Sequence, residues 1–283
     1  MIRVISDLAE LRGQIGQWKR DGLRIGFVPT MGNLHAGHFS LVDIARRNAD
    51  RVVASVFVNP TQFGPNEDFA RYPRTPEADA RGLDAAGCDL LWLPSVDTMY
   101  PHGAQASVQV RVPGVTGILE GAHRPGHFDG VATVVARLFN QVQPDIAVFG
   151  RKDYQQLAVI RYLVRDLAIP VELVGADTMR EADGLAMSSR NQYLSADERP
   201  VAVGIRQSLE SLRKAITGGE EIGAATATAK AGLERAGFTV DYVEVRRPDL
   251  SAPGTDARGA LVALVAARLG RTRLIDNLEF DVG

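Results

Sequence analysis

His35 and His38 stand three residues apart in Pro29-Thr-Met-Gly-Asn-Leu-His-Ala-Gly-His38, directly after the apolar run Leu23–Val28. On a helix that separation puts two imidazoles on one face. The next segment, Phe39-Ser-Leu-Val-Asp-Ile-Ala, has helical periodicity, so the pair falls in a first turn. Unpaired backbone N–H groups and the positive end of the helix dipole favour anions there. The chemistry suggested is a grip on a polyphosphate. Structural histidines at a strand–helix junction share this spacing, so the pattern alone leaves both readings open.

Three further segments carry polar residues just beyond apolar runs. Phe57-Val-Asn-Pro-Thr-Gln-Phe63 offers the amides of Asn59 and Gln62, which donate and accept without charge and suit hydroxyls or a carboxylate; a polar turn has the same composition. In Phe149-Gly-Arg-Lys-Asp-Tyr-Gln-Gln156, Gly150 leaves a strand and Lys152 and Asp153 open a helix. Asp153 has the simple reading of an N-cap. Lys152 at a helix start is unfavourable unless an anion lies nearby, which points to a phosphate. Gln156 follows Asp153 by three and shares its face. Finally, Met187-Ser-Ser-Arg-Asn-Gln-Tyr193 sets Ser188 and Ser189 beside Arg190. Two hydroxyls and a planar guanidinium fork match phosphate oxygens, although the stretch is also a plain loop composition.

The four segments supply His, Lys, Arg, Ser and neutral amides but no nucleophile–base pair. That set fits stabilisation of charge on a transferring phosphoryl group better than covalent catalysis. The sequence has no Gly-Lys-Ser/Thr phosphate loop, G-x-G-x-x-G turn, G-x-S-x-G elbow or H-E-x-x-H pair, which disfavours the enzyme classes those motifs serve.

Positioning these residues needs strands, and the apolar runs provide them. Strands are predicted over Ile25–Val28, Val52–Val58, Leu90–Leu93, Ile146–Phe149 and Val171–Val174, separated by helical patterns over Phe39–Ala49, Pro76–Ala86, Val131–Gln141 and Tyr154–Leu167. The first four runs lack strict alternation, as strands covered on both faces do. The alternation predicts a doubly wound α/β domain with a parallel sheet, whose ligands gather at the carboxyl ends of the strands. Val108–Val112 is read as a strand of a β extension. After about Thr178 the pattern changes to helices over Asp197–Ile216 and Ala224–Ala236, then strands over Thr239–Val245, Ala260–Ala267 and Thr272–Leu278, with a loop over Pro248–Gly259. Two domains follow, 1–177 for catalysis and a smaller α+β domain, 178–283, closing over the site.

Composition narrows the partners. Of the 283 residues, 45% are hydrophobic and 23% charged, enough for a packed core. A net charge of −2 argues against a nucleic-acid partner held by counterion release. Cys88 is the single cysteine and reads as a small buried thiol. The start Met1-Ile-Arg-Val has no signal-peptide pattern, and no apolar run approaches the roughly 20 residues that cross a bilayer. A cytoplasmic protein without a membrane partner is expected.

In order along the chain, Pro29–His38, Phe57-Val-Asn-Pro-x-Gln-Phe63, Tyr72-Pro-Arg-Thr75, Leu119-Glu-Gly with Arg124-Pro-Gly-His-Phe128, Lys152-Asp-Tyr-Gln-Gln156, Asp183–Asn191 and Arg273-Leu-Ile-Asp-Asn277 together resemble the pantoate–β-alanine ligase (pantothenate synthetase) family. More distantly the chain is similar to HIGH-type nucleotidylyltransferases and class I aminoacyl-tRNA synthetases. The resemblance implies a Rossmann-like catalytic domain and a two-step reaction. Pantoate attacks the α-phosphate of Mg²⁺-bound ATP to give pantoyl adenylate and pyrophosphate, and β-alanine then displaces AMP. It implies that His35 and His38 bind phosphate oxygens, with His38 the catalytic proton donor. Met31, Gly32, Gly150, Asp153, Met179 and Met187 would shape the ATP site. Lys152, Ser188, Ser189 and Arg190 would contact phosphates, while Gln62, Gln156 and Asn59 would hold pantoate and β-alanine. No protein ligand for Mg²⁺ is assigned, and a homodimer is expected from the family.

Two positions depart from the common family form. Thr61 stands where Met is usual, which is expected to loosen the pocket wall beside pantoate; Arg151 stands where Glu is usual and reverses a charge next to the phosphate site. A nucleotidylyltransferase that stops at an adenylyl product and a non-catalytic nucleotide-binding protein are the alternatives.

Overall fold

The computed structural model describes residues 2–64, 69–254 and 258–283. Six strands form one parallel sheet: β1 Arg3–Ile5, β2 Ile25–Thr30, β3 Arg51–Val56, β4 Leu90–Trp92, β5 Ile146–Gly150 and β6 Glu172–Ala176. Their spatial order is β1-β4-β3-β2-β5-β6. The chain leaves β2 toward β3 and β4 on one side and enters β5 and β6 on the other. The β2–β5 boundary is therefore the topological switch point, outside whose carboxyl ends such folds bind ligands. Each of the five predicted strands is present within two residues of its expected ends. The edge strand β1 has no counterpart in the prediction, because three residues with an exposed Arg3 and Val4 carry no usable period.

The helix Ala36–Asn48 buries Leu41, Val42 and Ala45. They join Val28, Val52, Ala54, Val56, Leu91, Ile146 and Val148 in one apolar cluster. This layer anchors the turn that carries both histidines. Cys88 belongs to the same cluster, with its Sγ 3.4 Å from both Val52 O and Leu90 O. Burial pushes its thiol up to about 12, so it is an inert core residue. On the far side, the helix His127–Val142 is buried along nearly its whole length.

Residues Val108–Val112 are not a strand. Val110 N–H donates to Thr133 Oγ1 at 2.9 Å, and that hydroxyl lies 3.4 Å from Val110 O. One side chain from a helix thus takes the place of a ladder partner, which alternation alone cannot reveal.

The chain divides into two compact units, Met1–Arg151 with Val159–Asp177, and Lys152–Ala158 with Thr178–Gly283. The second unit holds an antiparallel sheet in the order β7-β8-β9: β7 Thr239–Arg246, β8 Gly259–Leu269 and β9 Thr272–Val282. Residues 255–257 of the predicted loop lie outside the described residues. Leu209, Leu212 and Ile216 of the helix Gly204–Thr217 cover this sheet, with Leu261, Ala263 and Val265 in the same core. The predicted single helix Asp197–Ile216 is two, Glu198–Val201 and Gly204–Thr217, joined where Ile205 N–H bonds Ala202 O with i−3 spacing. Lys152–Ala158 groups with this unit because Asn277 Nδ2 donates to Lys152 O at 2.9 Å and the Tyr154 hydroxyl donates to Glu279 Oε1 at 3.0 Å. Among the described residues no helix is long and apolar enough to cross a membrane.

Candidate active site

The turn after β2 is fixed from beneath by a carboxylate. Asp79, only 2% exposed, accepts Leu34 N–H at 2.8 Å on Oδ1 and Asn33 N–H at 3.0 Å on Oδ2, while the Thr75 hydroxyl lies 3.2 Å from Oδ1. Gly32 has φ +87, and a Cβ there would stand 2.9 Å from Val56 Cγ1 and 3.0 Å from Asp79 Oδ2. Glycine meets both demands at once, the left-handed backbone and the close approach.

His35 is the N-cap of the helix Ala36–Asn48, and its Nδ1 accepts Gly37 N–H at 3.1 Å. His38 Nδ1 in turn accepts His35 N–H at 3.3 Å. The two rings lie 4.2 Å apart between centroids. Because each Nδ1 accepts, each neutral imidazole carries its proton on Nε2. The pair therefore couples two ring N–H donors to a helix N-terminus at the switch point. Such an arrangement can hold an anion, and the reciprocal capping holds both rings in register. Gly150, at the carboxyl end of β5, leaves open space where a Cβ would be.

Gln62 lies at the end of the short 3₁₀ turn Pro60–Gln62 that follows β3. Its Oε1 accepts Asn59 Nδ2 at 3.1 Å, and its Nε2 faces Met31 Sδ at 2.9 Å. Asn59 is 1% exposed, and its amide also reaches Gly130 O, Thr61 and Tyr100. It thus stands behind Gln62. The Thr61 hydroxyl bonds Asn59 Oδ1 at 3.1 Å and meets the Tyr100 hydroxyl at 3.2 Å, so Thr61 ties the pocket wall into a network instead of loosening it. His127 Nδ1–H donates to Gln62 O at 2.8 Å, and Arg124, ion-paired to Glu120, donates to His127 Nε2 at 3.1 Å. This gives the segment Leu119–Phe128 a purpose that its sequence did not disclose: it pins the Gln62 backbone.

In the second unit, Lys152 Nζ lies 3.9 Å from Asp153 Oδ2, and Gln156 is half-buried on the first turns of the helix Tyr154–Asp166. Met187 N–H bonds Met179 O at 2.9 Å, and the bridge Arg180–Ala186 closes the hairpin-like turn between them. Asp276 clamps that turn through Arg180 with bonds of 2.7 and 3.0 Å. Arg273-Leu-Ile-Asp-Asn277 therefore supports two site segments, since Asn277 holds Lys152 O. Ser188 Oγ accepts Arg190 N–H at 3.2 Å and caps the 3₁₀ turn Ser189–Tyr193. Its acceptor side serves the turn, and its O–H points the chemistry toward donation. Arg151 pairs with Asp177 at 3.6 Å within the first unit, which directs its charge to that carboxylate.

Sequence reasoning thus found the donor types but missed Asp79, Tyr100 and His127. Their partners lie 46, 41 and 65 residues away, beyond any local pattern. The family motifs around Tyr72–Thr75 and Arg124–Phe128 were the one signal near them.

The family model for pantoate-beta-alanine ligase matches residues 3–279. The pantothenate synthetase of Xanthomonas euvesicatoria pv. vesicatoria is 65% identical over 280 residues, covering 99% of this chain and all of that protein. Among solved structures, pantothenate synthetase from Thermus thermophilus is 49% identical, with TM-score 0.91 over 98% of this chain and 99% of that one. The pantoate-beta-alanine ligase of Francisella tularensis, complexed with beta-gamma ATP and β-alanine, is 31% identical, with TM-score 0.82 over 98% and 97%.

Proposed function

The chain belongs to the pantoate–β-alanine ligase family, and on that footing we propose which of its residues carry each part of the reaction. The enzyme joins pantoate to β-alanine with consumption of ATP. A carboxylate oxygen of pantoate bonds to the α-phosphorus as the bond to pyrophosphate breaks, leaving pantoyl adenylate. The amine of β-alanine then bonds to the acyl carbon, loses a proton, and AMP departs with the carboxylate oxygen it acquired. Both steps bring electron-rich groups together, so their barrier falls when donors and cations face the phosphates.

The observation that supports the residue assignment is the reciprocal His35–His38 cap at the switch point, which engages both Nδ1 atoms and leaves ring N–H groups as donors for an anion. In this reading His38 donates to the phosphate oxygen that gains charge in the first step, and His35 shares the load. Met31, Gly32 and Gly150 leave room for the nucleotide. From the second unit, Lys152, Ser188, Ser189 and Arg190 neutralise phosphate oxygens, while Asp153, Met179 and Met187 border the nucleotide. Gln62 and Gln156 hold pantoate, with Asn59 behind Gln62. Among the described residues no three His, Cys, Asp or Glu side chains form a metal cluster. Mg²⁺ would come in on the phosphates with most of its waters kept, as this reluctantly dehydrated ion prefers. Family membership also supports a homodimer acting in the cytoplasm.

Pyrophosphate release measured with ATP and pantoate, without and then with β-alanine, tests the reading. Sustained turnover only when β-alanine is present is the expected result. Turnover indifferent to β-alanine would place the chain among nucleotidylyltransferases that stop at the adenylyl product.

A further inference from the structure

Gln62 has a definite polarity, and it is imposed from behind. Three donors converge on Asn59 Oδ1: the Tyr100 hydroxyl at 2.6 Å, the Thr61 hydroxyl at 3.1 Å and Thr61 N–H at 3.3 Å. That fixes Asn59 Nδ2 on the other side, where it donates to Gln62 Oε1 and to Gly130 O, both at 3.1 Å. A flipped Asn59 would set its amine against Thr61 N–H and its oxygen against Gly130 O. A flipped Gln62 would set Nε2 against Asn59 Nδ2, donor to donor, so the chain of bonds has one consistent orientation. It ends with Gln62 Nε2 presented on the Met31 side.

The members are tightly held. Tyr100, Asn59 and Gln62 are all buried. The Arg137 guanidinium lies 4.9 Å over the Tyr100 ring and Arg137 Nη1 donates to Met99 O at 2.8 Å, fixing the tyrosine from its other face. Burial pushes the Tyr100 hydroxyl up from its ordinary value, so it remains a proton donor at neutral pH. Gly130 closes the back wall, where a Cβ would come within 2.5 Å of Thr61 O and 2.7 Å of Gln62 Cα.

We propose that Tyr100 and Thr61 are positioning residues for pantoate: acting through Asn59, they lock Gln62 as a hydrogen-bond donor, so the substrate atom it meets is an acceptor oxygen of the carboxylate or a hydroxyl. The proposal rests on the reading that Gln62 holds pantoate. It selects for an oxygen acceptor at that point and against an analogue carrying an amine or amide N–H there, which would face Gln62 donor to donor.

Steady-state kinetics on Tyr100→Phe, Thr61→Val, Thr61→Ser and Gln62→Ala, each with ATP, pantoate and β-alanine varied in turn, test it. Tyr100→Phe and Thr61→Val are expected to raise KM for pantoate about fivefold to tenfold with KM for ATP unchanged, the size of one lost hydrogen bond. Thr61→Ser, which keeps the hydroxyl, is expected to stay within about twofold of the parent enzyme. If Gln62→Ala raises the pantoate KM while Tyr100→Phe and Thr61→Val leave it unchanged, the relay is overturned and the Gln62 reading survives. If Gln62→Ala also leaves it unchanged, the reading beneath the relay fails. Equal rises for all three substrates, or a serine variant as impaired as the valine one, would mark general damage to the fold and overturn the proposal too.

Discussion

At the scale of single residues, the histidine pair shows how one side chain serves structure and chemistry through its two nitrogens. Nδ1 of each ring accepts a backbone N–H, which satisfies a helix start that would otherwise leave donors unpaired. The ring protons are thereby left on Nε2. Replacing His38 with Ala removes a cap acceptor and a donor together, but their costs differ. A lost cap costs about 1 kcal/mol of stability, whereas a lost donor to a developing phosphate charge costs about 10²–10³ in kcat. His38→Ala is therefore expected to keep its far-UV circular dichroism while kcat falls about a hundredfold or more; a fall of less than about threefold would remove His38 from the chemistry. Much of this was legible in the sequence. Spacing placed both rings at a helix start, where the structure has them. Which nitrogen each ring would offer was not legible, because it depends on hydrogen bonds set by backbone geometry.

Elements decide how firmly those residues are held. The turn after β2 depends on a side chain from the helix Pro76–Ala85, since both Asp79 oxygens accept N–H groups from Asn33 and Leu34. Nothing around Asp79 in the sequence announces this; it reads as an acidic residue in a first helical turn, a common place for one. Asp79→Ala would leave two half-buried N–H groups without this partner, at up to about 1–2 kcal/mol each. The urea midpoint is expected to fall by an amount equivalent to about 2–4 kcal/mol, with kcat reduced as well because the histidine turn loosens. An unchanged midpoint would mean that water replaces the carboxylate and that the turn supports itself. Strand and helix order were readable here because buried parallel strands write continuous apolar runs. Val108–Val112 departs from the expected strand for the converse reason: its alternation is real, but Thr133 supplies its partner from a helix.

For the whole molecule, the predicted site residues are shared between two units. His35, His38, Asn59, Gln62 and Gly150 belong to the first; Lys152, Gln156 and Ser188–Arg190 belong to the second. The segment Lys152–Ala158 joins the second unit through Asn277 and Glu279, residues more than a hundred positions away, a link that composition along the chain does not disclose. In the reaction of this family ATP activates the pantoate carboxylate as an adenylate before the amide forms. Pantoate labelled with ¹⁸O in both carboxylate oxygens, turned over with ATP and β-alanine and followed by mass spectrometry, tests it most directly. One labelled oxygen is expected to stay in pantothenate and the other to appear in AMP, with pyrophosphate unlabelled. Label in inorganic phosphate formed alongside ADP, or AMP without label, would contradict it.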